Sequence, residues 1–172
     1  MPKKANTFAP EGYEVKTGGS DFFKLKSGAN KFRILTDSVV GKEGWKDGKP
    51  FRRMEPLDIT EDEVDVDEKT NRPKINEFMA FYIYSHDEGK VAIASFTQAS
   101  IKKGILALAT DDDWGHPSEY DITVTKTGDG FQSKYSVTPS PKKPLAKTIA
   151  AIVGADEDSF DLIKALNIET DF

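Results

Sequence analysis

The sequence predicts a mainly β fold, because short stretches that alternate apolar and polar residues are separated by turn-forming residues. The clearest stretch covers residues 78–84, and residues 90–96 follow it after the turn Asp87-Glu88-Gly89, as in a β-hairpin. One stretch, residues 98–110, places its apolar side chains at helical spacing instead. The sequence therefore predicts a sheet with one helix inserted among its strands.

Further strands are predicted on both sides of this helix. Residues 21–35 are typical of a half-buried strand pair, or of one strand broken at a turn or bulge over residues 27–30. The polar members of this stretch are cationic: Lys24, Lys26, Lys31 and Arg33. After the helix, residues 120–125 and residues 135–137 alternate around a turn at residues 128–130, which predicts a second hairpin.

The predicted order is three strands, a helix and two strands, which is the order of a five-stranded OB-fold barrel with its helix between strands 3 and 4. Residues 41–54 are typical of an exposed loop or short hairpin. An acidic insertion at residues 56–75 is expected on the surface, outside the core, between the first and second strands. The barrel accounts for residues 21–145. A flexible N-terminal arm, residues 1–20, precedes it, and a helical segment with an acidic tail, residues 146–172, follows it.

The net charge of −5 is unevenly distributed along the chain. Residues 58–68 contain seven acids and no base, and residues 155–172 contain six acids and one lysine. The rest of the chain therefore carries a net charge of +7, which is sufficient to attract phosphate groups. The acidic tail is expected to compete with a polyanion for this basic body.

No pattern in the sequence predicts catalysis. The absence of cysteine excludes thiolate metal sites and a cysteine nucleophile. The acidic clusters at residues 62–68 and 111–113 lack the spacing of a calcium loop, and the histidines, His86 and His116, lie in turn-like stretches where a solvated side chain is expected. The chain is thus predicted to be no enzyme and to hold neither metal nor cofactor. No apolar stretch is long enough to span a membrane, and we expect a cytoplasmic protein.

A single-stranded nucleic acid is bound by a basic groove along its backbone and by flat rings under its bases. Alternate side chains of residues 78–84 point to opposite faces. If Met79, Phe81 and Ile83 fill the interior, the outer face presents three rings; the reverse orientation leaves Phe81 alone outside. Trp45 and Phe51 are equally consistent with stacking and with anchoring their own loop. The candidate binding residues are Lys24, Lys26, Lys31, Arg33, Trp45, Phe51, Arg52, Arg53, Phe78, Tyr82, Tyr84 and Lys134.

Two segments of this sequence resemble phage single-stranded DNA-binding proteins. Residues 23–35, FKLKSGANKFRIL, are similar to the opening strands of that family, and residues 113–122, DWGHPSEYDI, are similar to its second half. The chain also ends in acids followed by a phenylalanine, with Asp171 and Phe172 as its last residues. The resemblance implies an OB fold and sequence-independent DNA binding in the replication, recombination or repair of phage DNA inside the infected host cell. It also implies that the tail recruits replication or recombination proteins.

A second class of protein remains open at this point. An OB-like module that binds another protein of a replication or recombination complex has the same strand pattern. Salt separates the two, because a phosphate binder loses affinity steeply as the salt concentration rises, whereas an apolar protein interface does not.

Overall fold

Residues 22–170 are described by a computed structural model, and their strands form one eight-stranded mixed sheet. The strands are β1 (Gly28–Ile34), β2 (Val39–Lys46), β3 (Lys49–Arg53), β4 (Ile75–Ser85), β5 (Lys90–Phe96), β6 (Asp121–Thr127), β7 (Lys134–Pro139) and β8 (Ile168–Glu169). The three α-helices in this part of the chain are α1 (Ala99–Ala109), α2 (Lys147–Asp156) and α3 (Leu162–Ala165). The fold is mixed α/β with 38% strand, and its helices lie in the two regions where the sequence predicted helical structure.

The first two strands, β1 and β2, run as one long strand with a bend, because both pair antiparallel with β4. Ile34 at the end of β1 pairs with Ile83, and Val39 at the start of β2 pairs with Ala80. Between them, the N–H of Leu35 donates to the carbonyl of Tyr82 over 2.8 Å. The other edge of β1 pairs with β6, so the cationic stretch predicted as the first strand lies in the middle of the sheet.

The main hydrophobic core lies on one face of the sheet, beneath α1. Met79, Phe81 and Ile83 of β4 are at most 3% exposed, and they share a cluster with Ile101 and Ile105 of α1. Alternation along β4 and the four-residue spacing along α1 bring these side chains to one place. The orientation in which Met79, Phe81 and Ile83 point inwards is therefore the observed one. The position of α1 between β5 and β6 confirms the predicted place of the helix.

The sheet is open, and no strand pairing joins β5 to β7 within residues 22–170. The order of its strands is β7-β6-β1-β4-β2-β3-β8, with β5 also paired to β4. The edge of β5 away from β4 receives Phe23, whose N–H donates to the carbonyl of Ile93 over 2.8 Å. The ring of Phe23 packs edge-on against Phe32 and Phe96. The N-terminal part of the described chain therefore occupies the side of the sheet at which a barrel would close.

The insertion at residues 56–75 is tied to the sheet, although the sequence predicted a surface loop outside the core. Ile59 and Val64 are only 4% and 7% exposed. Val64 lies so close to Gly44 that a Cβ at that glycine would approach it to 2.8 Å. The prediction is wrong because Ile59 and Val64, two apolar residues among the acids of this segment, are buried. Residues 65–74 then fold back on themselves as a small hairpin.

The C-terminal part of the chain returns to the sheet after two helices. No residue of α2 is buried, whereas Leu162 of α3 and Leu166 just after it are 8% and 2% exposed. The last strand, β8, pairs in parallel with β3 and places Ile168 opposite Arg52. The sequence predicted helical structure in residues 146–172, but it did not predict where this segment docks.

The N-terminal arm at residues 1–20 and the tail residues Asp171 and Phe172 lie outside the described residues, so their roles stay predictions. Within residues 22–170, none of the helices combines the length and the apolar character needed to cross a lipid bilayer.

Candidate nucleic-acid interface

The outer face of β4, on the side away from the main core, carries the three rings Phe78, Tyr82 and Tyr84. Their side chains are 1%, 1% and 6% exposed. The prediction that this face presents exposed rings is therefore wrong, although the rings do point to the predicted side. A second hydrophobic cluster, formed with residues from the end of the chain, buries Phe78 and Tyr82. Tyr84 packs edge-on against His86, with ring centres 5.3 Å apart.

The segment that covers this face is residues 160–169, called here the C-terminal cover. The ring of Phe160 stacks on the ring of Tyr82, with 4.2 Å between their centres and 15° between their planes. The N–H of Asp161 donates to the Tyr82 hydroxyl over 3.1 Å. Leu162, Leu166 and Ile168 complete the cluster over the ring face. A flat ring thus lies parallel to Tyr82 in the arrangement that a stacked base adopts.

The chain between β7 and the C-terminal cover has no buried residue, since residues 140–161 are all exposed or half-buried. Lys143 fixes the start of this stretch: its N–H donates to the Glu119 carbonyl over 3.2 Å, and its own carbonyl accepts from Arg33 over 3.0 Å. Beyond Lys143 the chain follows the surface as far as Phe160. The cover is therefore held on the sheet mainly by its own contacts, and α2 before it also contacts β5.

Arg33 was predicted to contact DNA, but it is 2% exposed. Its Nε donates to Oδ1 of Asp121 over 2.9 Å, and its Nη1 and Nη2 donate to the carbonyls of Ser118 and Lys143. His86 Nε2 lies 3.0 Å from the same Asp121 oxygen. The prediction is wrong because a buried aspartate on the neighbouring strand engages the guanidinium, so Arg33 joins β1, β6 and the chain after β7.

The other predicted cations of this region remain accessible. Lys24 and Lys26 are exposed before β1, and Lys31 has a side chain that is 44% exposed. The pairing register places Lys31 opposite Thr123 and the exposed Lys134 opposite Thr127. The outer faces of β1, β6 and β7 therefore form one polar surface with cations at two of its margins and hydroxyl groups between them.

Arg52 and Arg53 of β3 are both engaged by other parts of the chain. The Arg52 guanidinium carbon lies 6.0 Å from the centre of the Phe78 ring, and its Nη1 donates to the Leu166 carbonyl over 3.3 Å. Arg53 binds carboxylates of Glu63 in the insertion and Glu169 in the cover. The hydrogen bond with Glu63 raises the pKa of Arg53 most, and the hydrogen bond with Glu169 raises it further. Burial acts in the opposite direction but does not cancel the increase. These two arginines hold the insertion and the cover to the sheet.

Trp45 and Phe51 have different surroundings. Phe51 packs against Gly44, where an added Cβ would lie 2.9 Å from the ring, and the Arg53 guanidinium lies 5.1 Å from its centre. Phe51 is therefore an anchor of its hairpin. Trp45 is half-buried and lines an open groove beside the insertion. Phe51 is half-buried as well, but of the two rings only Trp45 lines this groove.

Sequence reasoning missed two features of the interface. The first is Asp121, because a single acid in an alternating strand gives no signal that it is buried against an arginine 88 positions away. The second is the docking of the C-terminal cover on the rings of β4. Phe160, Ile163 and Leu166 have the spacing of one side of a helix, and an apolar side needs a partner surface. The covered rings of β4 are that surface.

The chain was compared with protein families, with characterised proteins and with solved structures, and none of them matches it. The fold and the site alone therefore define the class of protein. It is a mixed α/β protein whose open sheet carries a row of rings, and a segment of its own chain occupies that row.

Proposed function

We propose that the protein binds single-stranded DNA with little sequence preference and without catalysis, as phage replication, recombination or repair requires. The observation that carries this proposal is the stack of Phe160 on Tyr82, at 4.2 Å and 15°. A platform that holds one flat ring in parallel is suited to holding an unpaired base in the same way. Each base stacked on an aromatic side chain contributes about 1 to 3 kcal/mol.

The strand order supports the proposal. The bent strand β1–β2, followed by β4, β5, α1, β6 and β7, has the order of the five strands and the helix of an OB fold. In that fold, oligonucleotides lie across the outer face of strands 2 and 3 and against the loop between strands 1 and 2. Here those positions correspond to the ring face on β4, with its neighbour β5, and to the β2–β3 hairpin with the insertion.

DNA binding at the ring face requires the C-terminal cover to leave. The cover is attached through a stretch with no buried residue, so it can move away without unfolding the sheet beneath it. The apparent affinity for DNA is then the intrinsic affinity multiplied by the fraction of molecules in which the face is open. Lys31 and Lys134 lie on the continuous outer surface and attract the phosphates next to the stacked bases.

One observation favours a different function. The occupant of the ring face is a peptide, which packs through Leu162, Leu166 and Ile168 and adds a parallel strand beside β3. A partner protein carrying a similar apolar peptide fits the same surface by strand addition. The protein is then an interaction module of a replication or recombination complex. Its binding is apolar and depends little on salt.

A titration of the full-length chain separates the two functions. Fluorescein-labelled oligo-dT is titrated with protein at low and at high salt, and the fluorescence anisotropy is followed. We expect binding that weakens steeply as salt rises, because phosphate contacts release counterions. A duplex of the same length serves as the control and should bind much more weakly. If the single strand is not bound at low salt, or if the duplex binds equally well, the proposal is wrong.

A further inference from the structure

We propose that Trp45 and the hairpin at residues 65–74 form a second nucleotide-binding position, which takes one unpaired base and its phosphate beyond the edge of the C-terminal cover. The inference rests on the proposed function and adds a site to it. The cover occupies the ring face on β4, whereas this second position is open in the same structure. Single-stranded DNA therefore has a place to bind before the cover moves.

The position of Trp45 along β2 places it on the outer face. Alternation puts Val39, Glu43 and Trp45 on one side of the strand. Val39 packs against the cluster under the cover, so this side is the one that carries the ring face. Trp45 lies six residues further along the strand, next to Pro50 at the end of the β2–β3 hairpin. The outer face therefore continues past the cover and has a ring at its far end.

A groove of about 590 Å³ lies beside Trp45. The hairpin at residues 65–74 forms its opposite wall, and the backbone joins the two walls, since the Trp45 N–H donates to the Lys74 carbonyl over 3.2 Å. The volume lies within the range of about 300 to 1,000 Å³ in which proteins bind small ligands. The lining includes Trp45, Asp67, Thr70, Arg72, Lys74 and Asn76.

Two acids of this region, Asp65 and Asp67, accept hydrogen bonds from backbone turns. Asp65 accepts the N–H of Gly48 over 3.2 Å. Asp67 accepts the N–H groups of Lys69 and Thr70 over 2.9 and 3.0 Å. These backbone hydrogen bonds lower the pKa values of both carboxyl groups; burial opposes the shift, and the charge of Lys74 adds to it. The two acids therefore remain ionised and serve mainly as acceptors for the turns.

The cations of the region are not used in this way. Five cations of the β2–β3 turn and of the hairpin at residues 65–74 form no ion pair within the described part of the chain: Lys46, Lys49, Lys69, Arg72 and Lys74. Arg72 and Lys74 line the groove itself. A base lying on the indole of Trp45 places its phosphate near this wall, where a guanidinium binds phosphate in two-pronged fashion. A duplex does not fit this chemistry, because its base faces are already stacked.

The fluorescence of Trp45 tests the inference directly. The chain has two tryptophans, and the other one, Trp114, packs edge-on against Tyr120 at 5.3 Å, away from the groove. The variant Trp114→Phe therefore leaves Trp45 as the single reporter, and the matched control Trp45→Phe leaves Trp114. On addition of oligo-dT we expect quenching in Trp114→Phe and no change in Trp45→Phe. An oligonucleotide of the same length without bases should not quench either variant.

Affinity gives the second measurement. Trp45→Ala should weaken binding of labelled oligo-dT by about 5- to 150-fold, which corresponds to one stacked base. The double variant Arg72→Ala/Lys74→Ala should reduce the slope of log affinity against log salt by about 1.4, or about 0.7 for each cation. Lys103→Ala, at an exposed position of α1, removes one cation outside the groove and is the control; it should leave the slope unchanged.

The results of these experiments distinguish a failure of the second nucleotide-binding position from a failure of the proposed DNA-binding function. If oligo-dT does not bind the unaltered protein at low salt, the proposed function fails. If oligo-dT binds, but Trp45 is not quenched in Trp114→Phe and neither affinity variant differs from Lys103→Ala, the second position is wrong while the general function stands. The quenching experiment uses Trp114→Phe, in which Trp45 is kept. It therefore tests the second position even if Trp45→Ala does not fold.

Discussion

Arg33 of β1 and Asp121 of β6 form an ion pair of 2.9 Å in which both side chains are at most 2% exposed. The pair joins two neighbouring strands of the sheet, and the remaining donors of Arg33 reach the carbonyls of Ser118 and Lys143. A guanidinium in this position stabilises the fold and is not available to a ligand.

We therefore expect Asp121→Ala to lower the free energy of unfolding by about 3 to 5 kcal/mol, because it leaves a buried guanidinium without its counter-charge. Urea denaturation followed by circular dichroism measures the change. Lys31→Ala is the control, since Lys31 lies 3.9 Å from the same aspartate but its side chain is 44% exposed. An Asp121→Ala protein as stable as the control would mean that the pair contributes little. Reversal of Arg33 to Glu should unfold the domain rather than weaken DNA binding selectively.

The same pair predicts a pH dependence of stability. Burial raises the pKa of Asp121, but hydrogen bonds from His86 and Arg33 outweigh it and leave the pKa below its ordinary value of 3.8. Because the pKa is lower in the folded state, this contribution is fully present above the ordinary value and is lost as the pH falls through the folded-state pKa. The unfolding free energy of the unaltered protein should fall more steeply below about pH 4 than that of Asp121→Asn. Parallel curves would contradict the assignment.

Phe160→Ala is expected to tighten the binding of single-stranded DNA. The substitution removes the stack on Tyr82 and so raises the fraction of molecules with an open ring face. An aromatic pair contributes about 0.5 to 1.5 kcal/mol beyond its buried area, so the affinity should rise by about 2- to 12-fold. Anisotropy titration with labelled oligo-dT measures it, and Ile152→Ala, on the exposed side of α2, is the control. Weaker binding by Phe160→Ala would show that the cover supports the site instead of blocking it.

Two substitutions of Tyr82 should have opposite effects on DNA affinity. Tyr82→Phe keeps the ring but removes the acceptor for the Asp161 N–H, which loosens the cover by about 0.5 to 1.5 kcal/mol and tightens binding. Tyr82→Ala removes the ring itself. Since Tyr82 is 1% exposed, we expect that change to cost about 3 to 5 kcal/mol of stability and also to weaken binding. Equal affinities for the two variants would remove Tyr82 from the interface.

The polar part of the outer face gives a prediction about salt. Lys31→Ala and Lys134→Ala should each reduce the slope of log affinity against log salt by about 0.7, because each removes one phosphate contact to a single strand. Thr123, which pairs with Lys31 across the sheet, offers a neutral control as Thr123→Val. A slope unchanged from that of the control would place the corresponding lysine outside the path of the DNA.

The alternation of side chains along a strand made it possible to predict from sequence which residues share a face of the sheet. In β4 it separated Met79, Phe81 and Ile83 from the opposite ring-bearing side, and the structure has the same separation. Alternation specifies sides but says nothing about what lies against a side. The burial of Tyr82 depends on Phe160, 78 positions later in the chain, and no local pattern encodes such a distant contact.

The sequence showed where charged residues are concentrated along the chain, but it did not show which of them form ion pairs in the fold. The acidic run indicated a loop outside the core, yet its Glu63 pairs with Arg53 and its Val64 is buried. A run of like charges favours exposure on average, whereas the position of each side chain follows from the backbone that carries it. Arg33 is a similar case on a basic stretch: it was predicted to be exposed beside three lysines, but it is buried and pairs with Asp121.

The parallel pairing of β8 with β3 has a consequence for the state in which the cover is released. The N–H of Met54 then loses its acceptor on Glu169, and the backbone beside Arg52 and Arg53 becomes an unpaired sheet edge. Such edges template pairing with other chains. Molecules with a displaced cover are therefore more prone to self-association through this edge.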